Sequence, residues 1–499
     1  MRLNFLGNMA GRLWLGLMNV ATVPVFIHLL GASAFGIVSL VATLQTVLGL
    51  LDLGLAGTIN REVAMLRGPE DRGRIANVVR TFELVYWMVA LAIALGIAGA
   101  SGWIAHSWVT DRGIPPSRTQ AAIILGGVGL AARWPVAIYT GVLRGLERQV
   151  LQNAILAALA TARVAATVLA LLFVSPTIYC FLIVQAAANG AEALLSGGVA
   201  HRLLPGGGGA RFDLAVVKRV WRFAIGLNLV GAIGTLAVGT DKVMISRLLP
   251  LAELTYYSVA GTAAGALQVV SIAAETCLFP RMAACWKQGD KTEVLRLYRF
   301  WQRLTVYICV GPAVLLFFFP HEILSLWTRS PELAQHARLP LAILAAAFLC
   351  SSASGTPLTT MLAAGHTRTP LLVNATALPL LAAGNYLAVR EFGIVGAAIC
   401  WLLFTSFCTV AYARYCMKSL IRSPAAPFAW GIPFELPALG AEIGAASKAL
   451  LPLRTASVQL AAWLLCTLLL YYGLGAVFWG KKIKNMAVAA PGQCQAPHD

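Results

Sequence analysis

Charge is scarce in this chain. Of its 499 residues only 12% are Asp, Glu, Lys or Arg, about half the share of a soluble domain, and just 20 are acidic. A soluble protein of this size would divide into polar-surfaced domains joined by polar linkers. Here 59% of residues are apolar and runs of 18 to 25 of them follow one another, each long enough to cross about 30 Å of hydrocarbon. The composition excludes an ordinary soluble enzyme and indicates an all-α integral membrane protein with many crossings.

Chemical motifs are missing too. The ten cysteines form no C-x-x-C pair, and most lie inside apolar runs, where Cys acts as a small core residue. The seven histidines include no H-E-x-x-H, and no G-x-x-x-x-G-K-[ST] loop occurs. No catalytic residue, metal site or cofactor is expected, and the chain is read as a non-enzyme. The sequon at Asn374 and Thr376 falls in an apolar run rather than a surface loop, so it is read as chance.

What is present is a pattern of spans. Windows of about 20 residues give helices near 9–30, 37–57, 81–104, 119–142, 150–173, 177–200, 222–247, 255–280, 300–319, 338–363, 369–389 and 393–416, with a thirteenth at 458–479. The first run is too long for a signal peptide and is read as a spanning helix. The net charge of +18 would suggest nucleic acid in a soluble protein, but its distribution gives a different reading. Between the first twelve spans, 24 Lys and Arg fall on one side and 6 on the other, which places the N-terminus in the cytoplasm. No nucleic acid is expected as a partner. A thirteenth crossing would put Lys481, Lys482 and Lys484 outside, against the same rule. Either that helix does not cross or residues 423–457 contain a further crossing.

The stretch His201–Arg211, with four successive glycines, divides the twelve spans into two sixes. The expected organisation is an N-terminal six-helix lobe over 1–202, a cytoplasmic linker at 203–221, a C-terminal six-helix lobe over 222–417 and an extension at 418–499. A shift of 219 positions lays residues 26–43 on 245–262 without a gap, matching Leu29 with Leu248, Leu30 with Leu249, Ser39 with Ser258 and Thr43 with Thr262. Two halves with an even number of helices enter from the same side, so the repeat is parallel.

Helical spacing then selects candidate pathway residues. Asn8, Arg12, Asn19 and Thr22 share one face of the first helix, and Asn228, Gly231, Thr235 and Lys242 share the matching face of the seventh. Ser39, Thr43 and Thr46 repeat the pattern against Ser258, Thr262 and Gly265. Such residues either line a path or bind helices together. Charges inside spans cost about 2.5–3.5 kcal/mol each and mark pathways by default. Arg133 and Arg163 are the deepest, roughly 8 Å apart along the normal on antiparallel helices. At that separation two guanidiniums suit a diphosphate; snorkelling or bonding to carbonyls is the structural alternative. Lys242 is a candidate anion contact, and adjacent Asp241 a candidate partner, ion site or proton carrier. Asp52, Glu83, Glu192 and Glu275 lie toward cytoplasmic helix ends, where pairing with nearby arginines is expected.

The segments LLDLGLAGTINREVA (50–64), TDKVMISRLLPLAELTYYSVAGTAAGALQVVSIAAETCLFPRMA (240–283) and MLAAGHTRTPLLVNA (361–375) resemble the polysaccharide-transporter, or O-antigen flippase (Wzx-like), branch of the multidrug/oligosaccharidyl-lipid/polysaccharide (MOP) exporter superfamily. The likeness covers residues 1 to about 417. It implies a MATE-like, two-lobed bundle of two parallel six-helix repeats, here with about twelve helices plus a C-terminal one. It also implies a bacterial inner-membrane location and the transfer of undecaprenyl-diphosphate-linked oligosaccharide to the periplasmic leaflet through a basic cavity. Membrane lipids and the polymerase and glycosyltransferases of the same pathway are the implied partners. Arg61 and Glu62 fall in the INRE segment and are read as cytoplasmic gate or folding residues. The substrate contacts expected from spacing are Arg12, Asn19, Arg133, Arg163, Asn228 and Lys242. A drug or cation antiporter of the same superfamily would need unpaired carboxylates in its cavity. A polysaccharide polymerase or ligase would need a large outward loop with an acid/base pair, which this sequence lacks.

Overall fold

The computed structural model describes residues 2–52, 55–65, 72–109, 115–204, 212–213, 233–421, 435–450 and 457–488; for some of these, including 2–10, 12, 13, 61 and 475–488, only the backbone is described. No strand occurs among the described residues. The chain forms two compact units, Met1–Ser258 with Asn385–Ile394, and Val259–Gly384 with Val395–Asp499.

The first unit begins with α1 (Arg2–Leu30) and α2 (Ala32–Leu48), then a short α3 (Leu55–Met65). It continues through α4 (Arg72–Trp103), α5 (Pro116–Arg133), α6 (Val136–Gly145), α7 (Gln149–Phe173) and α8 (Ile178–Leu203). The described part of α9 covers 233–248. The expected span at 37–57 instead stops at Leu48, runs through a 3-10 turn at Gly49–Asp52 and resumes as α3. Ile59 and Val63 of α3 bury against Val78, Phe82, Ile138 and Val142. Apolar length alone could not show that this second piece packs on α4 and α6. The span expected at 119–142 bends at Pro135, which has no N–H to give; the Trp134 N–H turns back to the Ala131 carbonyl at 3.2 Å.

The internal repeat is visible in the turns. α1 ends at Gly31, whose φ of 83° is open to glycine at little cost. α10 (Leu251–Gly265) starts after Pro250, the residue 219 positions on from Gly31. The two turns touch reciprocally. Thr255 Oγ1 donates to the Ala32 carbonyl at 2.6 Å, while Gly36 abuts the Leu251 carbonyl so closely that a Cβ there would overlap it. Residues 36 and 255, and 32 and 251, are equivalent under the same shift, so this contact has the form of a two-fold interface within one chain.

The second unit contains the rest of α10, α11 (Leu267–Lys287), α12 (Lys291–Phe318), α13 (Pro320–Thr328), α14 (Pro331–Ala363) and most of α15 (Arg368–Tyr415). α16 (Glu435–Leu450) and α17 (Ser457–Val488) follow. A straight helix of 48 residues would run about 72 Å, more than twice the hydrocarbon thickness. α15 is broken at Gly393 (φ 59°, ψ −143°) and folds back, since Tyr412 donates to Asn374 Oδ1 at 2.8 Å.

Within 423–457, where a further crossing is one of two expected outcomes, the structure has α16. Gly440 packs on Val310 and Val314, Gly444 on Val314 and Phe318, and Lys448 pairs with Glu322. α16 therefore runs in the same direction as α12. α17 runs against it, with Leu464 beside Phe319 and the Tyr472 hydroxyl donating to the Ile308 carbonyl at 2.6 Å. A further helix does lie within 423–457. Among the described residues seven helical segments are long and apolar enough to cross a membrane, among them Gly73–Trp108, Pro116–Gly145 and Arg368–Ile421, so this is a multi-pass membrane protein.

Candidate functional site

Within the first unit a cavity of about 530 Å³ opens among α1, α2, α5, α7 and α8. Phe26, Phe35 and Phe181 form part of its apolar wall, and no Asp or Glu is among its lining residues. The break at Trp134 and Pro135 ends α5 at Arg133 and brings that side chain to the cavity. Arg163 reaches it from α7, and Asn19 from α1.

The two arginines are not equivalent. Arg163 Nη1 donates to Asn189 Oδ1 at 3.1 Å and lies 3.7 Å from Glu192 Oε2. Asn189 in turn donates to the Gly129 carbonyl at 3.0 Å. Arg163 is thus oriented and neutralised by α8; its side chain is 20% exposed and that of Glu192 7%. Arg133 lies close enough for its charge to act on Arg163, yet among the described residues it has no hydrogen bond or ion pair. A cation with no ion pair among the described residues, bordering a cavity with no Asp or Glu among its described lining residues, can take an anion.

The other candidates fall elsewhere. Lys242 and Asp241 are on α9 and do not line this cavity. Asp241 is 5% exposed; it accepts from the Tyr257 hydroxyl at 2.6 Å and from the Lys242 backbone N–H at 2.7 Å. Arg12 and Arg61 lie on α1 and α3 with side chains outside the described residues, and Asn228 is outside them altogether. Glu62 is buried on α3. Ser39 and Thr43 are buried, and Thr43 donates to the Ser39 carbonyl at 2.8 Å, as residues that pack helices do. Glu83 pairs with Arg80 and His201, both at 3.1 Å, and accepts from Tyr139 at 2.7 Å. Glu192 pairs instead with the deep Arg163. Glu275 has no ion pair among the described residues.

Sequence reasoning passed over Gln45, Gln185 and Asn189, which also line the cavity. The last two stand four residues apart on α8 with Glu192 three further on, a polar stripe at helical spacing.

Comparison with known proteins adds the following. A family described as "Polysaccharide biosynthesis protein" matches residues 4–286, and a second, MatE, matches 231–387. A protein of Shigella flexneri described as "Putative O-antigen transporter" is 20% identical over 373 residues, 74% of this chain and 87% of that protein. The solved lipid II flippase MurJ in an inward closed conformation matches with a TM-score of 0.72 at 11% identity, covering 97% of this chain and all of the other. An inward-facing multidrug resistance MATE family transporter matches with a TM-score of 0.67 at 13% identity, covering 84% of this chain and all of the other. The all-α, MATE-like membrane fold is shared with both. The greater coverage by the first is a difference comparable in size to the α16–α17 extension.

Proposed function

The chain belongs to the polysaccharide biosynthesis protein family, within the MOP superfamily, and on that premise we propose that it is a lipid-linked oligosaccharide flippase. It carries a polyprenyl-diphosphate-linked glycan unit from the cytoplasmic to the periplasmic leaflet of the bacterial inner membrane by alternating access. No covalent step is involved. The difficulty such a protein must solve is electrostatic, because moving an ionised group into hydrocarbon costs on the order of 20 kcal/mol in the Born limit. A guanidinium without a counter-ion offsets part of that cost only while the anion is present, so it favours the loaded cavity.

Arg133 is the observation that carries this reading. Arg163, held by Asn189 and Glu192, shapes the wall and adds donors; Asn19 contributes an amide. That no Asp or Glu is among the described residues lining the cavity disfavours the drug or cation antiporter, whose cargo would need a carboxylate there. The bias of Lys and Arg supports a cytoplasmic N-terminus. With α16 parallel to α12 and α17 antiparallel to it, Lys481, Lys482 and Lys484 return to the cytoplasmic side. Polymerase and glycosyltransferases of the same pathway are the proposed partners.

The test is complementation in a strain lacking this gene. Arg133→Ala should insert normally, restore less than about a tenth of surface glycan and accumulate lipid-linked intermediate. Full restoration of surface glycan would remove the role given to Arg133.

A further inference from the structure

A second cavity, of about 410 Å³, adjoins the first and shares Gln45, Leu130 and Arg133 with it. Its volume lies in the range of small-molecule sites, and its polar lining is of a different kind. The Gln45 amide, the Thr140 hydroxyl and the Trp134 indole N–H all border it, and among the described residues none has a hydrogen-bond partner. Glu192 and Asp52 border it too. Asp52 accepts from Tyr86 at 2.5 Å, and Glu192 is engaged through one oxygen by Arg163.

These groups restrict what can fill the space. A dianion would meet two carboxylates. A wholly apolar ligand would leave three hydrogen-bonding groups without partners, each at the cost of its lost hydration. An organic cation would meet Arg133 and Arg144 on the same wall. A neutral ring carrying several hydroxyls suits donors, acceptors and carboxylates together, and its C–H face suits an aromatic side chain. Trp134 is placed for that contact by the α5–α6 break, with the Tyr86 ring 6.5 Å from its own.

We infer that this cavity is a glycosyl subsite, holding the sugar ring attached to the phosphate that Arg133 takes. Trp134 stacks on the ring, and Gln45, Thr140 and Glu192 hydrogen-bond its hydroxyls. The inference rests on the anion role proposed for Arg133.

The experiment is calorimetric titration of the purified full-length protein in lipid nanodiscs. The probes are inorganic phosphate and the 1-phosphates of glucose, galactose and N-acetylglucosamine. At least one sugar phosphate should bind about tenfold more tightly than inorganic phosphate. Trp134→Ala should abolish that gain and leave phosphate affinity within twofold, whereas Trp134→Phe should keep most of it. Thr140→Val, close to isosteric, should reduce the gain several-fold even if the Trp134→Ala protein fails to fold. Arg133→Ala should weaken all four probes. A wild-type protein that binds phosphate with no gain from any of the three sugars overturns the subsite alone. So does a gain that survives both Trp134→Ala and Thr140→Val. Phosphate binding that is unaffected by Arg133→Ala, or absent from the wild type, overturns the anion reading and the subsite with it.

Discussion

Arg133 and Arg163 read alike in the sequence, each a lone cation deep in an apolar run, and they differ in what surrounds them. The hydropathy pattern could flag both, because a charge in hydrocarbon is conspicuous wherever it lies. It could not show that Glu192, 29 residues beyond Arg163 on the next helix, comes within 3.7 Å of it, since that depends on how α7 and α8 pack. The structures of the two sites imply different phenotypes. Removing one partner of a buried pair leaves the other charge uncompensated, at about 3–5 kcal/mol. Arg163→Ala should therefore lower the thermal unfolding temperature in detergent, and Arg163→Ala with Glu192→Ala should recover most of the loss. Arg133→Ala removes no pairing and should unfold near the wild-type temperature while losing transport. Equal destabilisation by the two single substitutions would show that Arg133 is also held by the protein.

At the scale of elements, sequence reasoning located the long apolar helices and missed those defined by packing. α16 has only 16 residues, Pro437 among them, and falls below a 20-residue window. It is recognisable through its neighbours, as Gly440 and Gly444 let it approach Val310, Val314 and Phe318 of α12. Gly444→Leu should overpack that contact and destabilise by about 1–3 kcal/mol, read as a lower unfolding temperature. The 219-residue repeat was legible in aligned residues, and its consequence, the reciprocal contact of the two turns, was not. Gly36→Ala should destabilise by a similar ~1–3 kcal/mol, because Cβ meets the Leu251 carbonyl, a backbone atom that cannot swing aside. Thr255→Val should cost about 1 kcal/mol for the bond to Ala32. A Gly36→Ala protein as stable as the wild type would show that these turns are not closely apposed.

At the scale of the whole molecule, composition alone indicated a membrane protein, and the distribution of Lys and Arg carries the proposed orientation. If α16 and α17 cross as a pair, as proposed above, Lys481, Lys482 and Lys484 lie on the cytoplasmic side. A fluorescent protein fused after residue 488 should therefore be fluorescent, and alkaline phosphatase fused at the same point inactive; the opposite pair of results would place the C-terminus outside. Transport itself is tested most directly in proteoliposomes. The rate at which a polyprenyl-diphosphate-linked oligosaccharide becomes accessible on the opposite leaflet should be at least tenfold lower with Arg133→Ala than with the wild type. Arg133→Lys, which keeps the charge but loses the planar fork, should fall between them. Transfer by Arg133→Ala at the wild-type rate would contradict the cationic passage proposed for the headgroup.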